Sequence, residues 1–192
     1  MKIFSDRAVS LTGVLMLAVF ATPSWLLAAK VETEEALISE LGSPKTGVVT
    51  KALQRLQKDY RNSPAALTAI KGLLTDSRSE VRCKAALVLG AMHAEVSEDD
   101  IKAVCALLKA SDRKEVDDGL TALRGLNAPS AVPVILPLLK DPNSHIVCNA
   151  CRTLAVLGNK DVIPSIEPLL SSRDKAVCKE ANGAILKLRQ KS

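Results

Sequence analysis

The sequence predicts an all-α fold, an α-solenoid of about four helical-hairpin repeats with a capping helix at each end. Two observations carry this prediction. A helical pattern of small and apolar residues occurs four times, and a pair of leucines follows three of the copies. A short unit that recurs along a chain cannot bury its own apolar face, so neighbouring copies have to stack. Stacked pairs of short helices form a solenoid, in which each repeat contacts its neighbours.

The recurring pattern defines the first helix of each repeat. The copies begin at Val81, Val116, Ile146 and Val177. Four residues further on stand Ala85, Leu120, Ala150 and Ala181, and eight further on stand Leu89, Arg124, Leu154 and Ile185. Residues at these offsets share one helix face, which predicts a buried stripe in every copy. Arg124 alone is charged, and we interpret it as an exposed edge position on the convex face.

Glycines occur near the ends of these first helices. Gly90 and Gly125 share the ninth offset from the start of the pattern, and Gly158 stands at the twelfth. We expect Gly158 to form the C-terminal cap of its helix, because glycine accepts the backbone angles that a cap requires.

Paired leucines mark the second helix of repeats two to four: Leu107-Leu108, Leu138-Leu139 and Leu169-Leu170. The starts of the four first helices are separated by 35, 30 and 31 residues. The acidic residues between Glu95 and Asp100 account for the longer first interval. A period of about 30 residues is typical of stacked helical hairpins.

Two prolines recur in the second helices of repeats three and four. Pro133 and Pro137 return as Pro164 and Pro168, 31 residues later. Pro133 and Pro164 stand near a predicted helix start, where proline costs little. Pro137 and Pro168 lie further in, where each lacks a backbone donor and crowds the preceding turn, so both helices are expected to kink or start late. The kinks either shape a binding groove or reflect duplication of the repeat.

The segments 80–90 and 138–146 resemble HEAT repeats, in the short form found in phycobilisome-lyase-like proteins. The resemblance covers roughly residues 46–188. The helical pattern along the chain gives repeats at about 46–76, 77–110, 111–140 and 141–171, with a last helix at 174–188 as a half-repeat cap. The resemblance implies second helices on the concave side of the stack. HEAT repeats often carry Arg just after the start of the first helix, and here only Arg82 does so.

Two shorter helices precede the regular repeats. Residues 31–41 form an amphipathic pattern that Thr33 can cap and Gly42 can end, and we expect this helix to cover the exposed end of the stack. Ser43-Pro44 and Ser63-Pro64 each predict a helix start, with serine as the cap and proline at the first helical position.

The N-terminal residues 1–29 read as an export signal, followed by the repeat domain at 30–192. Lys2 and Arg7 precede an apolar stretch at 8–21, and Leu27-Ala28-Ala29 offers small residues for cleavage. We place the cut after Ala29, with Ala28 and Ala21 as alternatives. An uncleaved membrane anchor and a buried N-terminal helix are the competing interpretations. The pattern predicts a periplasmic or secreted protein without a membrane span after cleavage.

Composition argues against several classes of partner. Removal of residues 1–29 leaves 24 basic and 20 acidic side chains, a formal net charge of +4 with mixed signs along the chain. Such a mild balance indicates a solvated surface rather than a dedicated anion-binding face. We expect no nucleic-acid partner. Aromatic residues make up 2% of the chain, which disfavours base stacking and grip on planar cofactors. The sequence leaves the oligomeric state open.

The five cysteines are Cys83, Cys105, Cys148, Cys151 and Cys178. Cys105 lies on an apolar stripe and is interpreted as a buried, inert thiol. In an oxidising compartment a Cys148–Cys178 or a Cys151–Cys178 disulfide would tie the last helix to its neighbour and stabilise it by about 2–4 kcal/mol. Neighbouring helix axes stand near the limit of disulfide reach, so free thiols remain the alternative.

The sequence contains no complete set of residues for catalysis or for metal binding. Cys148-x-x-Cys151 resembles half of a zinc site, with His145 and Cys178 as the nearest additions, but no second pair has matching spacing. Neither His93 nor His145 is followed by Glu, unlike the His-Glu pairs of di-iron hydroxylases built on HEAT-like repeats. We interpret the acidic pair Asp117-Asp118 as a solvated turn, and we expect no catalytic residue and no cofactor.

These observations favour an exported, non-catalytic HEAT-repeat protein that binds another protein on its concave face, as a scaffold or adaptor. One alternative is a redox or metal-handling protein that uses Cys148, Cys151 and Cys178. A second alternative is a lyase-like binder of a small ligand. Neither alternative has a complete set of residues in the sequence.

Cleavage of the export signal has a direct test. Because the cut is expected after Ala29, protein recovered from its native compartment should begin at Lys30. Intact-mass spectrometry and N-terminal sequencing measure this. A mature chain that retained residues 1–29 would contradict the prediction.

Overall fold

A computed structural model describes residues 33–191, and every regular element in that part of the chain is an α-helix or a 3₁₀ helix. The α-helices are α1 (Glu34–Glu40), α2 (Thr46–Asp59), α3 (Pro64–Gly72), α4 (Ser79–Met92), α5 (Glu98–Leu107), α6 (Arg113–Leu126), α7 (Val132–Ile135), α8 (Ser144–Leu157), α9 (Ile163–Ile166) and α10 (Lys175–Gln190). The predicted export signal and the first residues of the helix predicted at 31–41 lie outside the described residues.

The predicted repeats correspond to helix pairs. They are α2 with α3, α4 with α5, α6 with α7, and α8 with α9, and α10 follows as an unpaired last helix. The first helices α2, α4, α6, α8 and α10 pack side by side in chain order, and α1 packs against α2. The fold is therefore an α-solenoid with a capping helix at each end, as the sequence predicts.

Side-chain caps fix several helix starts. The Thr33 hydroxyl accepts a bond from the amide of Ala36 at 3.3 Å, and Ser63 does the same for Ala66 at 3.3 Å. The prediction that Ser43 caps α2 is wrong. The Ser43 hydroxyl instead accepts from the Lys45 amide at 3.2 Å in the preceding turn, so α2 begins only at Thr46.

The first helices bury the predicted stripe. The starting residues Val81, Val116, Ile146 and Val177 are each at most 6% exposed, and the four residues at the next offset are fully buried. Apolar burial on this scale is worth about 25 cal/mol for each Å² removed from water, so the stripe supplies much of the stability of the stack.

Helices α4 and α6 approach each other at two glycines. A Cβ atom placed on Gly125 would lie 2.6 Å from the carbonyl oxygen of Gly90, and one placed on Gly90 would lie 2.8 Å from that of Ala122. Real side chains do not tolerate such distances. The shared ninth offset of these two glycines therefore permits direct backbone contact between neighbouring repeats.

The C-terminal caps of α4 and α6 adopt a left-handed backbone without glycine. His93 and Asn127 both have φ of 51°. The amides of His93 and Ala94 bond back to Gly90 and Leu89, which forms a Schellman cap. Gly158 ends α8 as predicted, but with φ of −79° rather than a left-handed angle.

Basic side chains from neighbouring segments bind the carbonyl groups at the ends of the first helices. Arg61 donates to the carbonyl of Ala91, His93 Nδ1 contacts that of Gly125 at 3.0 Å, and Lys191 donates to that of Gly158 at 2.7 Å. These carbonyls lack partners within their own helix, and positive charge there is favourable. The bonds connect successive layers of the stack at one end of the first helices.

The second helices of repeats three and four change character at the recurring prolines, where a kink or a late start was expected. Each α-helix lasts only four residues, and a 3₁₀ helix follows at 136–140 after α7 and at 167–171 after α9. Pro137 and Pro168 stand in the first turn of these 3₁₀ helices, where the missing amide hydrogen and the ring disfavour continuation of the α-helix. The second helix of repeat two has no such proline, and α5 runs for ten residues.

The glycine contact predicts opposite effects of alanine at two helical sites. Gly125→Ala should lower the free energy of unfolding by about 1–3 kcal/mol, because the new methyl group meets the backbone of α4. Gly183→Ala, in α10 with open space around it, should raise that free energy by about 0.5–1 kcal/mol. Urea denaturation measures both, and equal effects would contradict the role given to the contact.

Candidate functional site

A groove runs between the second helices of repeats three and four. We call it the proline groove, and its volume is about 580 Å³. It is lined by Pro133, Leu136, Pro137, Leu139, Lys140, Ser165, Pro168 and Leu169. Three of the four recurring prolines therefore stand in its wall. The sequence offered a binding groove as one of two explanations for these residues, and the structure places a groove at them.

The chemistry of the proline groove is mostly apolar. Leu136 and Leu169 are partly buried against the core, and Pro137 and Pro168 are exposed. Lys140 is the only charged residue in the lining. Such a surface can hold an apolar segment and pair one cation with an acidic group.

A second hollow, which we call the basic cleft, lies across the first helices α2, α4 and α6. Its volume is about 520 Å³. The polar residues in its lining are Gln57, Lys84, His93, Thr121 and Arg124, and Gly90 and Gly125 lie among them. It shares no lining residue with the proline groove. Sequence reasoning did not find this cleft, because its residues come from three helices and follow no spacing along the chain.

Arg124 is not the exposed edge residue that we expected. It is partly buried, and its Nη1 donates to Asn149 Oδ1 at 2.9 Å and contacts Thr153 Oγ1 at 3.5 Å. Burial lowers the pKa of its guanidinium, and the nearby Arg152 adds to that effect. The apolar column at this offset is interrupted because α8 supplies polar partners for the charge.

The partners of Arg124 form a polar network between repeats three and four. Asn149 is buried, and its amide donates to Asp117 Oδ1 at 2.6 Å. His145 Nε2 lies 3.2 Å from the same carboxylate oxygen, and the Thr153 hydroxyl donates to the carbonyl of Asn149 at 2.8 Å.

The network revises two interpretations of the sequence. Asp117 and Asp118 lie inside α6 and are partly buried, so they are not a solvated turn. His145 is a surface residue at a helix start, as expected, but it also pairs with Asp117. A polar residue at 149, in an otherwise apolar stretch of α8, was the available signal for the network.

The cysteines that the sequence singled out face different surroundings. Cys148 and Cys151 are buried in α8, whereas Cys178 at the start of α10 is partly exposed. The Cys178 thiol donates to the carbonyls of Ser172 at 3.0 Å and Leu170 at 3.4 Å. All five thiols are free in the structure. The disulfide between α10 and α8 remains a prediction.

Burial makes most of these thiols poor nucleophiles. It raises the pKa of Cys151 to about 12 and that of Cys83 to about 11, and it also raises the pKa values of Cys105 and Cys148. The thiolate is the reactive and metal-binding form, so a raised pKa disfavours both kinds of chemistry. In residues 33–191, no group of three or more His, Cys, Asp or Glu side chains is arranged to hold a metal ion.

The helices of the described region are too short or too polar to span a lipid bilayer.

A family model described as HEAT repeats matches residues 119–186, which include most of α6 and all of α8 and α9. The resemblance drawn from the sequence is thereby confirmed. A comparison with curated proteins finds no match.

Solved structures with the same fold include both natural and designed repeat proteins. The complex of CpcE and CpcF of phycocyanin lyase from Nostoc sp. PCC7120 aligns with a TM-score of 0.68 at 23% identity, over 83% of this chain and 66% of that one. An engineered protein aligns with a TM-score of 0.58 at 24% identity, over 81% of this chain and 79% of that one.

A designed armadillo repeat protein for modular peptide recognition aligns with a TM-score of 0.59 at 19% identity, over 80% of this chain and 81% of that one. At these identities the comparisons establish the solenoid fold. The chain spans 66% of the lyase chain that it matches.

Differences in burial predict an order of thiol reactivity. In the reduced protein, Cys178 should react first with a thiol reagent at pH 8, and Cys151 last, because its thiol is buried and holds its proton up to about pH 12. Timed alkylation followed by peptide mass spectrometry measures the order. Cys178→Ser should remove the fast phase and leave the others unchanged. Rapid labelling of Cys151 in the folded protein would contradict the burial argument.

Proposed function

We propose that the protein is a non-catalytic scaffold or adaptor that binds a partner protein in its proline groove. The HEAT-repeat model matches residues 119–186, and the same stack of helices extends back to α2. The observation that carries this proposal is the groove itself, which equivalent prolines of two neighbouring repeats line. A repeat protein presents many modest contacts along such a surface rather than one deep pocket.

The groove favours an extended apolar segment of the partner, with an acidic residue placed near Lys140. Proline side chains and short 3₁₀ turns form a stiff wall, so little conformational freedom is lost there on binding. Leu136, Leu139 and Leu169 offer apolar area between the prolines. Lys140 is exposed and is the one charge in the lining, which gives a ligand carboxylate a single point of attraction.

Two comparisons support recognition of a protein. The aligned lyase structure is a complex of CpcE and CpcF, and the designed armadillo protein was made for modular peptide recognition. Both statements concern those proteins. They support the proposal that this stack also serves as a surface for another polypeptide.

We also propose that the protein acts outside the cytoplasm. The positive start, apolar stretch and small residues of positions 1–29 support export to the periplasm or the cell exterior. The alternative of a redox or metal-handling protein is the weaker one, because Cys148 and Cys151 are buried with raised pKa values. A lyase-like role would require a ligand-modifying group, and we assign no residue to one.

Peptide selection tests the chemistry of the groove. Random peptides displayed on phage and selected on the full-length chain should yield apolar segments with an acidic residue. Lys140→Glu should remove the acidic preference and weaken binding of the selected peptides about tenfold, since it replaces an attraction by a repulsion. Fluorescence anisotropy measures the affinities.

Lys109→Glu is the matched control for this experiment. Lys109 follows the leucine pair of repeat two as Lys140 follows that of repeat three, but it lies outside the proline groove. Its substitution should leave peptide affinity unchanged. Equal losses for both variants, or selected peptides that cross-link from a photoreactive residue at Lys109 and not at Ser165, would contradict the proposed site.

A further inference from the structure

The basic cleft across α2, α4 and α6 differs in chemistry from the rest of the surface. Its lining carries the cationic side chains of Lys84 and Arg124, the imidazole of His93, and the polar side chains of Gln57 and Thr121. No carboxylate belongs to the described lining. Several basic side chains in other parts of the stack pair with acidic ones, as Lys114 does with Asp118 at 2.7 Å and Arg152 with Glu180 at 2.8 Å.

Arg124 supplies unused hydrogen-bond donors to this cleft. Its Nη1 bonds to Asn149 and Thr153, while its Nε and Nη2 donate to no protein group within residues 33–191. The guanidinium is held in place by the bond to the buried Asn149, so its free edge has a defined position. A fixed guanidinium edge matches the two oxygens of a carboxylate or a phosphate.

Arg124 forms no ion pair with a carboxylate among the described residues. Burial lowers the pKa of Arg124 and the charge of Asp117 partly offsets this effect, but the Asp117 carboxylate contacts Asn149 and His145 directly rather than Arg124. Arg152 adds positive potential, although it pairs with Glu180 at 2.8 Å. Keeping a partly buried cation without a direct ion pair is costly, and an anion in the cleft would supply one.

The ends of α4 and α6 oppose anion binding in principle, because helix C-termini carry partial negative charge. In this structure, basic side chains already occupy carbonyl groups there. Arg61 donates to the carbonyl of Ala91, and His93 contacts that of Gly125. Within the described residues, neither Lys84 nor Arg124 donates a hydrogen bond to one of these carbonyls. Lys84 lies in the N-terminal half of α4, away from its C-terminal carbonyls.

Space in the cleft is suited to a small group. Gly90 and Gly125 belong to its lining, together with the small side chain of Ala91. The volume of about 520 Å³ lies within the range of small-ligand sites.

We propose that the basic cleft is a binding site for an anion with carboxylate or phosphate oxygens, in which Arg124 binds two oxygens and Lys84 approaches a third. The site is independent of the proline groove, with which it shares no lining residue. The anion is either a free small molecule or an acidic group of a bound polypeptide.

Calorimetric titration of the full-length chain tests the site, with orthophosphate, succinate and a capped tri-glutamate peptide as probes at constant ionic strength. At least one probe should bind saturably at one site. Arg124→Leu and Lys84→Gln should each weaken that binding about tenfold or more, as expected for the loss of charge-assisted hydrogen bonds. Leucine is chosen because Leu89 and Leu154 occupy the same offset in repeats two and four. If Arg124→Leu fails to fold, Lys84→Gln still tests the proposal.

Lys179→Gln on α10 removes one positive charge outside the cleft and should leave the affinity unchanged. Tighter binding of tri-glutamate than of succinate or phosphate would assign the anion to a polypeptide, and the reverse would assign it to a small molecule. The proposal is overturned if no probe binds saturably, or if Lys179→Gln weakens binding as much as the two cleft variants.

Discussion

The stack depends on how closely its first helices approach one another. At Gly90 and Gly125 the backbones of α4 and α6 touch, because neither residue has a side chain to separate them. Close packing is intolerant of added volume, so a single methyl group here would push two repeats apart. The distance between those two repeats determines how far apart the side chains of α4 and α6 lie. The basic cleft lies over this contact and includes both glycines in its lining.

Polar contacts add direction to this apolar packing. Apolar stripes hold neighbouring helices together but permit sliding, since the hydrophobic effect is not directional. The bonds from Arg124 to Asn149 and from Asn149 to Asp117 have fixed geometry, and they set the register of α8 on α6. The bond from His93 to the carbonyl of Gly125 does the same for α4 and α6 at their C-terminal ends. At both of these interfaces, a few hydrogen bonds fix how one first helix is positioned along its neighbour.

The proline groove could be predicted from the sequence in part, whereas the basic cleft could not. Pro137 and Pro168 are regular in spacing, and proline has a known effect on a helix, so the break in both second helices was predictable. Their meeting in one groove was not, because it depends on the side-by-side placement of repeats three and four. Arg124 was visible as an exception in an apolar column, yet its burial depends on Asn149, which lies 25 residues away in the chain.

By itself, the sequence determined the helices, their grouping into repeats and the buried stripe, since these follow from local periodicity and from the need of each repeat to cover its neighbour. It also determined where proline interrupts the second helices. Only the tertiary structure decided which side chains from different repeats meet. Arg124 with Asn149, Gly90 with Gly125, and the walls of the basic cleft all depend on the distance and rotation between neighbouring first helices. Those two quantities are set by packing across the interface, which leaves no periodic trace in the chain.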